Sequence, residues 1–194
     1  EKIGEFEPLW LMQPLFTVLL AVIFYPAERN WFIVGLAFLA SASLILMHIK
    51  KRHLDFNRYL VAGLLGSFLF ALELVVSKPL LPYFSPFGFY FVRSFFIFLG
   101  AFIIYRPKIK MYGRKLTLSI FVVAATWILY RAIIYYGYGA YGIVYTTLLF
   151  ILAPVLMLIF AVLFLKEKLS RRQIITNVII LICVVLAVIV QKLY

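Results

Sequence analysis

A chain of 194 residues that is 66% hydrophobic and only 13% charged, with a mean hydropathy of +1.09, carries more apolar surface than one soluble core can bury. Its formal charge of +12 does not mark a nucleic-acid binder, because the basic residues cluster in short segments between long apolar runs. Composition excludes a soluble domain and predicts an all-α polytopic membrane protein.

Seven segments, about 8–25, 31–48, 59–81, 86–105, 116–136, 142–165 and 172–191, approach or exceed the roughly 17–25 residues that span a bilayer. Backbone groups find no water in hydrocarbon, so such segments are helices or a closed barrel. The unbroken runs lack the alternation of barrel strands, which leaves seven transmembrane helices.

The first run, QPLFTVLLAVIFYPAERN at 13–30, shares its plan with the sixth, APVLMLIFAVLFLKEKLS at 153–170. Pro14, Ala21, Val22, Phe24 and Glu28 match Pro154, Ala161, Val162, Phe164 and Glu167, with a one-residue gap before the glutamate. A proline inside a helix removes a hydrogen bond, so Pro14 and Pro154 are predicted to bend their helices at corresponding places. Glu28 and Glu167 end these runs and are expected in salt bridges at headgroup level.

Basic residues fill three of the connections. Lys50, Lys51, Arg52 and Arg58 follow the second run; Arg106, Lys108, Lys110, Arg114 and Lys115 the fourth; Lys166, Lys168, Arg171 and Arg172 the sixth. The other face has only Arg29, Lys78 and Lys192. Thirteen against three predicts that loops 49–58, 106–115 and 166–173 are cytoplasmic and the C-terminus external.

The remaining ends carry local signals. Ser85-Pro86 is an N-cap followed by proline at the first helical position, and Ser170 is placed to cap the last helix. Gly137, Gly139 and Gly142 leave little more than a turn between the fifth and sixth runs. Cys183 lies in the middle of the last run, where a packing role is expected.

Residues 59–192 resemble one complete five-helix repeat of the drug/metabolite transporter superfamily, in its EamA-like branch. The resemblance lies in LLFILAPVLMLIFAVLFLKEKLSRRQIITNVIILICVVLAVIV, with a proline early in the penultimate helix, a helix-ending glutamate followed by leucine and serine, and a glutamine opening the last helix. FALELVVSKPLLPYFSPFGFYFVRS is similar to the first two helices of such a repeat. Residues 9–48 resemble the last two helices of a preceding repeat, although Ala27-Glu28-Arg29-Asn30 departs from the usual Gly-Glu ending. The resemblance implies an inverted-repeat helical bundle, part of a ten-helix transporter. Residues 1–48 would close the first repeat, 49–58 would be a basic loop, and 59–194 would form the second repeat. Three further helices are expected before Glu1.

Charges within spans are candidate functional residues. Glu73 lies nine residues before Pro82 and Arg93 eight after Ser85, which places both about 12–13 Å below the same turn. Arg131, six residues before Gly137, lies about 9 Å down. Glu73 is read either as the ion-pair partner of Arg93 or as a proton carrier. One carboxylate does not neutralise two arginines, so Arg93 and Arg131 are candidates to bind an anionic solute. Trp127, Tyr130 and Tyr145 are candidates for an aromatic wall, and Thr146 and Thr147 for hydroxyl donors. Tyr135, Tyr136, Tyr138 and Tyr141 are expected in an interfacial belt.

The resemblance, together with these intramembrane charges, implies a secondary transporter or exporter of small organic metabolites; the alternative is a non-catalytic scaffold subunit of a larger membrane complex. An intramembrane enzyme has the least support: His48 and His53 flank a basic loop, and no nucleophile has a base at a useful spacing. No P-loop is present. No catalytic residue, metal or cofactor is expected. The predicted partners are a small-molecule solute and membrane lipids, with no nucleic acid, and a homodimer or larger membrane complex fits the short loops.

Overall fold

The computed structural model describes residues 12–48, 58–106, 113–165 and 170–193. Most of the three basic loops, including Lys166, Glu167 and Lys168, lies outside the described residues. Those described are helical, with no strand: α1 Gln13–Phe24, α2 Trp31–His48, α3 Arg58–Ser77, α4 Pro86–Tyr105, α5 Arg114–Ala140, α6 Ile143–Phe150, α7 Leu152–Leu165 and α8 Arg171–Leu193. Short 3-10 turns, Pro26–Glu28 and Lys78–Leu80, follow α1 and α3. Among the described residues, four stretches are long and apolar enough to cross a membrane: Val61–Leu80, Pro86–Tyr105, Arg114–Ala140 and Arg171–Lys192. Gln13–Phe24, Trp31–Leu46 and Ile143–Leu156 are shorter apolar helices. The chain is an all-α polytopic membrane protein.

The sixth predicted helix is divided. Pro154 has no N–H to donate toward the Phe150 carbonyl, and the helix is interrupted at Ile151. The Ile151 N–H is shared between the carbonyls of Thr147 at 3.1 Å and Leu148 at 3.2 Å, a local tightening of the turn. Pro14 stands instead in the first turn of the described α1, where an N–H has no intrahelical partner to lose.

Two compact units make up the chain. The first, Glu1–Val76 with Tyr141–Tyr194, contains α1, α2, nearly all of α3, and α6 to α8. There α2 packs on α8, and α6 packs on both α1 and α2. Ala37, Ala40, Ser41 and Leu44 form the buried stripe of α2, and Ile180, Cys183, Val184 and Ala187 that of α8. Both have the i, i+3/i+4, i+7 spacing of one helix face, and the small residues permit close backbone approach. Cys183 is buried, as its position predicted. Phe16 meets Phe68 edge-on at 5.8 Å, and the Tyr25 hydroxyl donates to the Val75 carbonyl at 2.9 Å, holding α3 to α1.

The second unit, Ser77–Ala140, contains α4 and α5 packed together. Ser85 caps α4 as expected, its Oγ accepting from the Gly88 N–H at 3.1 Å. Phe89 is the buried contact of α4, edge-on to Tyr135 at 4.9 Å. Phe91, Phe95, Phe96 and Phe98 are exposed. Such a surface suits hydrocarbon rather than water.

Candidate functional site

In the second unit, α5 assembles three of the predicted site residues by its own periodicity. Trp127 and Arg131 are four residues apart and therefore stack on one face; the Arg131 guanidinium carbon lies 5.6 Å from the centre of the Trp127 ring. The Tyr130 ring is 5.6 Å from that of Trp127. Arg131 is 1% exposed, whereas Trp127 and Tyr130 are 45% and 38% exposed. A cation over an indole face contributes up to about 2 kcal/mol when desolvated, while burying an ion costs several kcal/mol. The Trp127 contact alone does not offset the burial of Arg131. Arg93, on α4, is half-buried in the same unit.

The tyrosines beyond this cluster correct one expectation. Tyr136 and Tyr141 are exposed, but Tyr135 and Tyr138 are 1% and 3% exposed and belong to the core, not to an interfacial belt. Arg131, Tyr135 and Tyr138 share one stripe at i, i+4 and i+7, so the face that buries the arginine buries them too.

The first unit holds Glu73 on α3, half-buried, and the hydroxyl residues of α6. Tyr145 is half-buried and touches Tyr141, ring centres 6.2 Å apart. Thr146 and Thr147 are buried. The Thr146 hydroxyl oxygen has no hydrogen-bond partner among the described residues. An unsatisfied buried hydroxyl costs about 1–3 kcal/mol, so Thr146→Val, which keeps the shape, should stabilise the folded protein by about 1 kcal/mol in thermal unfolding. A loss of stability would show that the hydroxyl is bonded.

The start of α6 reveals a residue whose role sequence reasoning misassigned. Glu28 is only 8% exposed, not solvated at headgroup level. Its Oε1 accepts from the Ile143 N–H at 2.9 Å and its Oε2 from the Val144 N–H at 3.1 Å. Both are unsatisfied donors at the first turn of α6, where a carboxylate is also favoured by the helix dipole. The N-cap residue itself, Gly142, has no side chain to do this. Gly142 has φ +90, and a Cβ there would lie 2.8 Å from both Glu28 oxygens. Glycine is required twice over, by conformation and by space. Arg29 turns away from this contact, its Nε donating to the Val22 carbonyl at 3.0 Å near the end of α1. The one signal available in the sequence was the gap that shifts Glu28 by a residue relative to Glu167.

A cleft of about 510 Å³ lies beside the same loop, lined by Arg29, Asn30, Trp31, Phe32 and Val190; it includes none of the predicted site residues. Among the described residues no three His, Cys, Asp or Glu side chains converge as metal ligands.

No curated protein and no solved structure matches the chain. A family model does match it, the EamA-like transporter family, over residues 57–189. With apolar-surfaced helices, a proline-broken sixth span and charges retained within the spans, this match places the chain in the EamA-like transporter family, as a membrane transporter of small molecules.

Proposed function

We propose that the protein is a secondary transporter of small organic solutes bearing a carboxylate or other anionic group, working by alternating access. The observation that supports this most is the buried guanidinium of Arg131 stacked on Trp127. Arginine stays protonated in proteins and presents a planar fork suited to carboxylates. An ionisable side chain within a span is a candidate functional residue by default. Arg93 adds positive charge and Tyr130 aromatic surface in the same unit; Tyr145 and Thr146 are, by themselves, candidate polar contacts to the solute in the first unit. The interruption before Pro154 gives the sixth span a compliant point, and broken helices of this kind line binding sites in secondary transporters. Glu73, half-buried on α3, is the candidate for proton coupling.

Reconstitution of the full-length protein in liposomes tests this reading. Uptake of carboxylate-bearing solutes should occur without ATP and should rise with an imposed pH gradient. Glu73→Gln should retain solute exchange but lose the response to the gradient. A gradient response that survives Glu73→Gln rejects the coupling assignment, and failure to move any solute of a broad metabolite panel favours a scaffold.

The charge asymmetry supports a topology with the basic loops cytoplasmic. On a Cys183→Ser background, an impermeant thiol reagent applied to intact cells should label Ser85→Cys and spare Asn57→Cys. The reverse pattern inverts the topology.

A further inference from the structure

The contact between Glu28 and α6 joins the end of the first copy of the Pro-Ala-Val-Phe-Glu pattern to the helix that leads into the second. It crosses 115 residues of sequence to Ile143, and the carboxylate that makes it is nine-tenths buried. The helix it holds is short, Ile143–Phe150, and is interrupted at Ile151. Continuity with α7 therefore does little to orient its first turn, which is set by its packing on α1 and α2 and by what grips its N-terminus. That turn carries Tyr145 and leads to the buried Thr146 hydroxyl, which has no hydrogen-bond partner among the described residues. We infer that Glu28 is a positioning residue for transport: its carboxylate clamps the first turn of α6 and thereby sets where the Tyr145 and Thr146 hydroxyls, the first unit's own candidate solute contacts, stand. This rests on the transport reading given above and adds to it a residue that touches no solute.

The geometry explains why glutamate serves here. A carboxylate offers one acceptor oxygen to each of two adjacent N–H groups, and its charge complements the helix end. Glutamine offers one oxygen and sets an amide NH2 against the second N–H. Gly142 belongs to the same device, because any side chain there would enter the space of the Glu28 oxygens. Tyrosine or threonine substitutions on α6 would alter the solute contacts directly; Glu28 and Gly142 alter them only by moving the turn.

Hydrogen exchange on the full-length protein in lipid nanodiscs, combined with transport kinetics in liposomes, tests the inference. Glu28→Gln should speed amide exchange at Ile143–Thr146 by about tenfold or more, the effect of losing one charge-assisted hydrogen bond. Exchange in α8 should be unchanged. The same variant should raise KM for the transported solute several-fold with kcat nearly unaltered, a split that a mere loss of folded protein does not produce. Glu28→Asp keeps the charge but shortens the reach by one methylene, guards against misfolding of the first variant, and should reproduce both effects. Unchanged exchange in a folded variant overturns the clamp; faster exchange with unchanged KM reduces it to a structural cap and overturns the positioning role. If the parent protein moves no solute, the transport reading fails first, and the exchange measurement alone still decides whether Glu28 holds the turn.

Discussion

Arg131→Gln should lower kcat/KM for carboxylate-bearing solutes by about 10–100-fold while changing that for neutral solutes less than about threefold. The magnitude follows from one charge-assisted hydrogen bond, about 1.5–3 kcal/mol, where each 1.4 kcal/mol is a factor of ten. Glutamine keeps a planar polar end but removes both the charge and the stacking over Trp127. Arg131→Lys keeps the charge and loses the fork and the stack, so it should fall between parent and Gln. Initial uptake rates for matched acid and amide forms of one solute would measure this. Equal losses on both forms would mean that Arg131 supports the fold rather than the anion. The burial of the residue makes that control necessary: at 1% exposure, its replacement also changes packing around Tyr135 and Tyr138. Comparing the variants at equal folded amounts, by size exclusion, separates the two effects.

Removal of the Glu28 side chain should be the most destabilising single change among the candidate positions. Glu28→Ala leaves the Ile143 and Val144 N–H groups without their acceptors at 2.9 and 3.1 Å, and Gly142 has nothing to offer in exchange. Two hydrogen bonds to a charged group contribute about 1.5–3 kcal/mol each, so a loss of about 3–6 kcal/mol is expected. Glu28→Gln retains one acceptor and should lose about half as much. Unfolding in detergent by heat or denaturant gives the comparison. A loss under about 1 kcal/mol for Ala would mean that water replaces the carboxylate, which the 8% exposure of Glu28 argues against. This cost exceeds the roughly 1 kcal/mol typical of an exposed N-cap because the pair is buried and the carboxylate is bidentate.

What could be read from the residues in order were the features whose physical cause is local. Apolar runs near twenty residues long specify membrane helices because the backbone must satisfy itself in hydrocarbon. Ser85-Pro86 marks the start of α4 because the cap bond spans three residues. Ser170 and Gln173 mark the start of α8 in the same way. The Gln173 N–H donates to the Ser170 Oγ at 3.3 Å, and the Ser170 N–H donates back to the Gln173 Oε1 at 2.8 Å, a reciprocal capping pair. The stacking of Trp127 under Arg131 is local too, four residues along one helix.

The tertiary structure alone decided which apolar faces are covered. Hydropathy does not separate α2, which buries Ala37, Ala40 and Leu44, from α4, which exposes Phe91, Phe95, Phe96 and Phe98, because lipid tails and helix neighbours are equally apolar. For the same reason Tyr135 and Tyr138 read as an interfacial belt and prove to be core. Glu28 read as a surface charge because its two partners lie 115 and 116 residues away, beyond any periodicity. A span carrying Pro154 read as one helix, and only the shared hydrogen bonds of Ile151 show where it breaks. Composition determines the solvent in which each helix sits; the choice of neighbour, which determines what a buried charge is for, depends on contacts that close only when the helices pack.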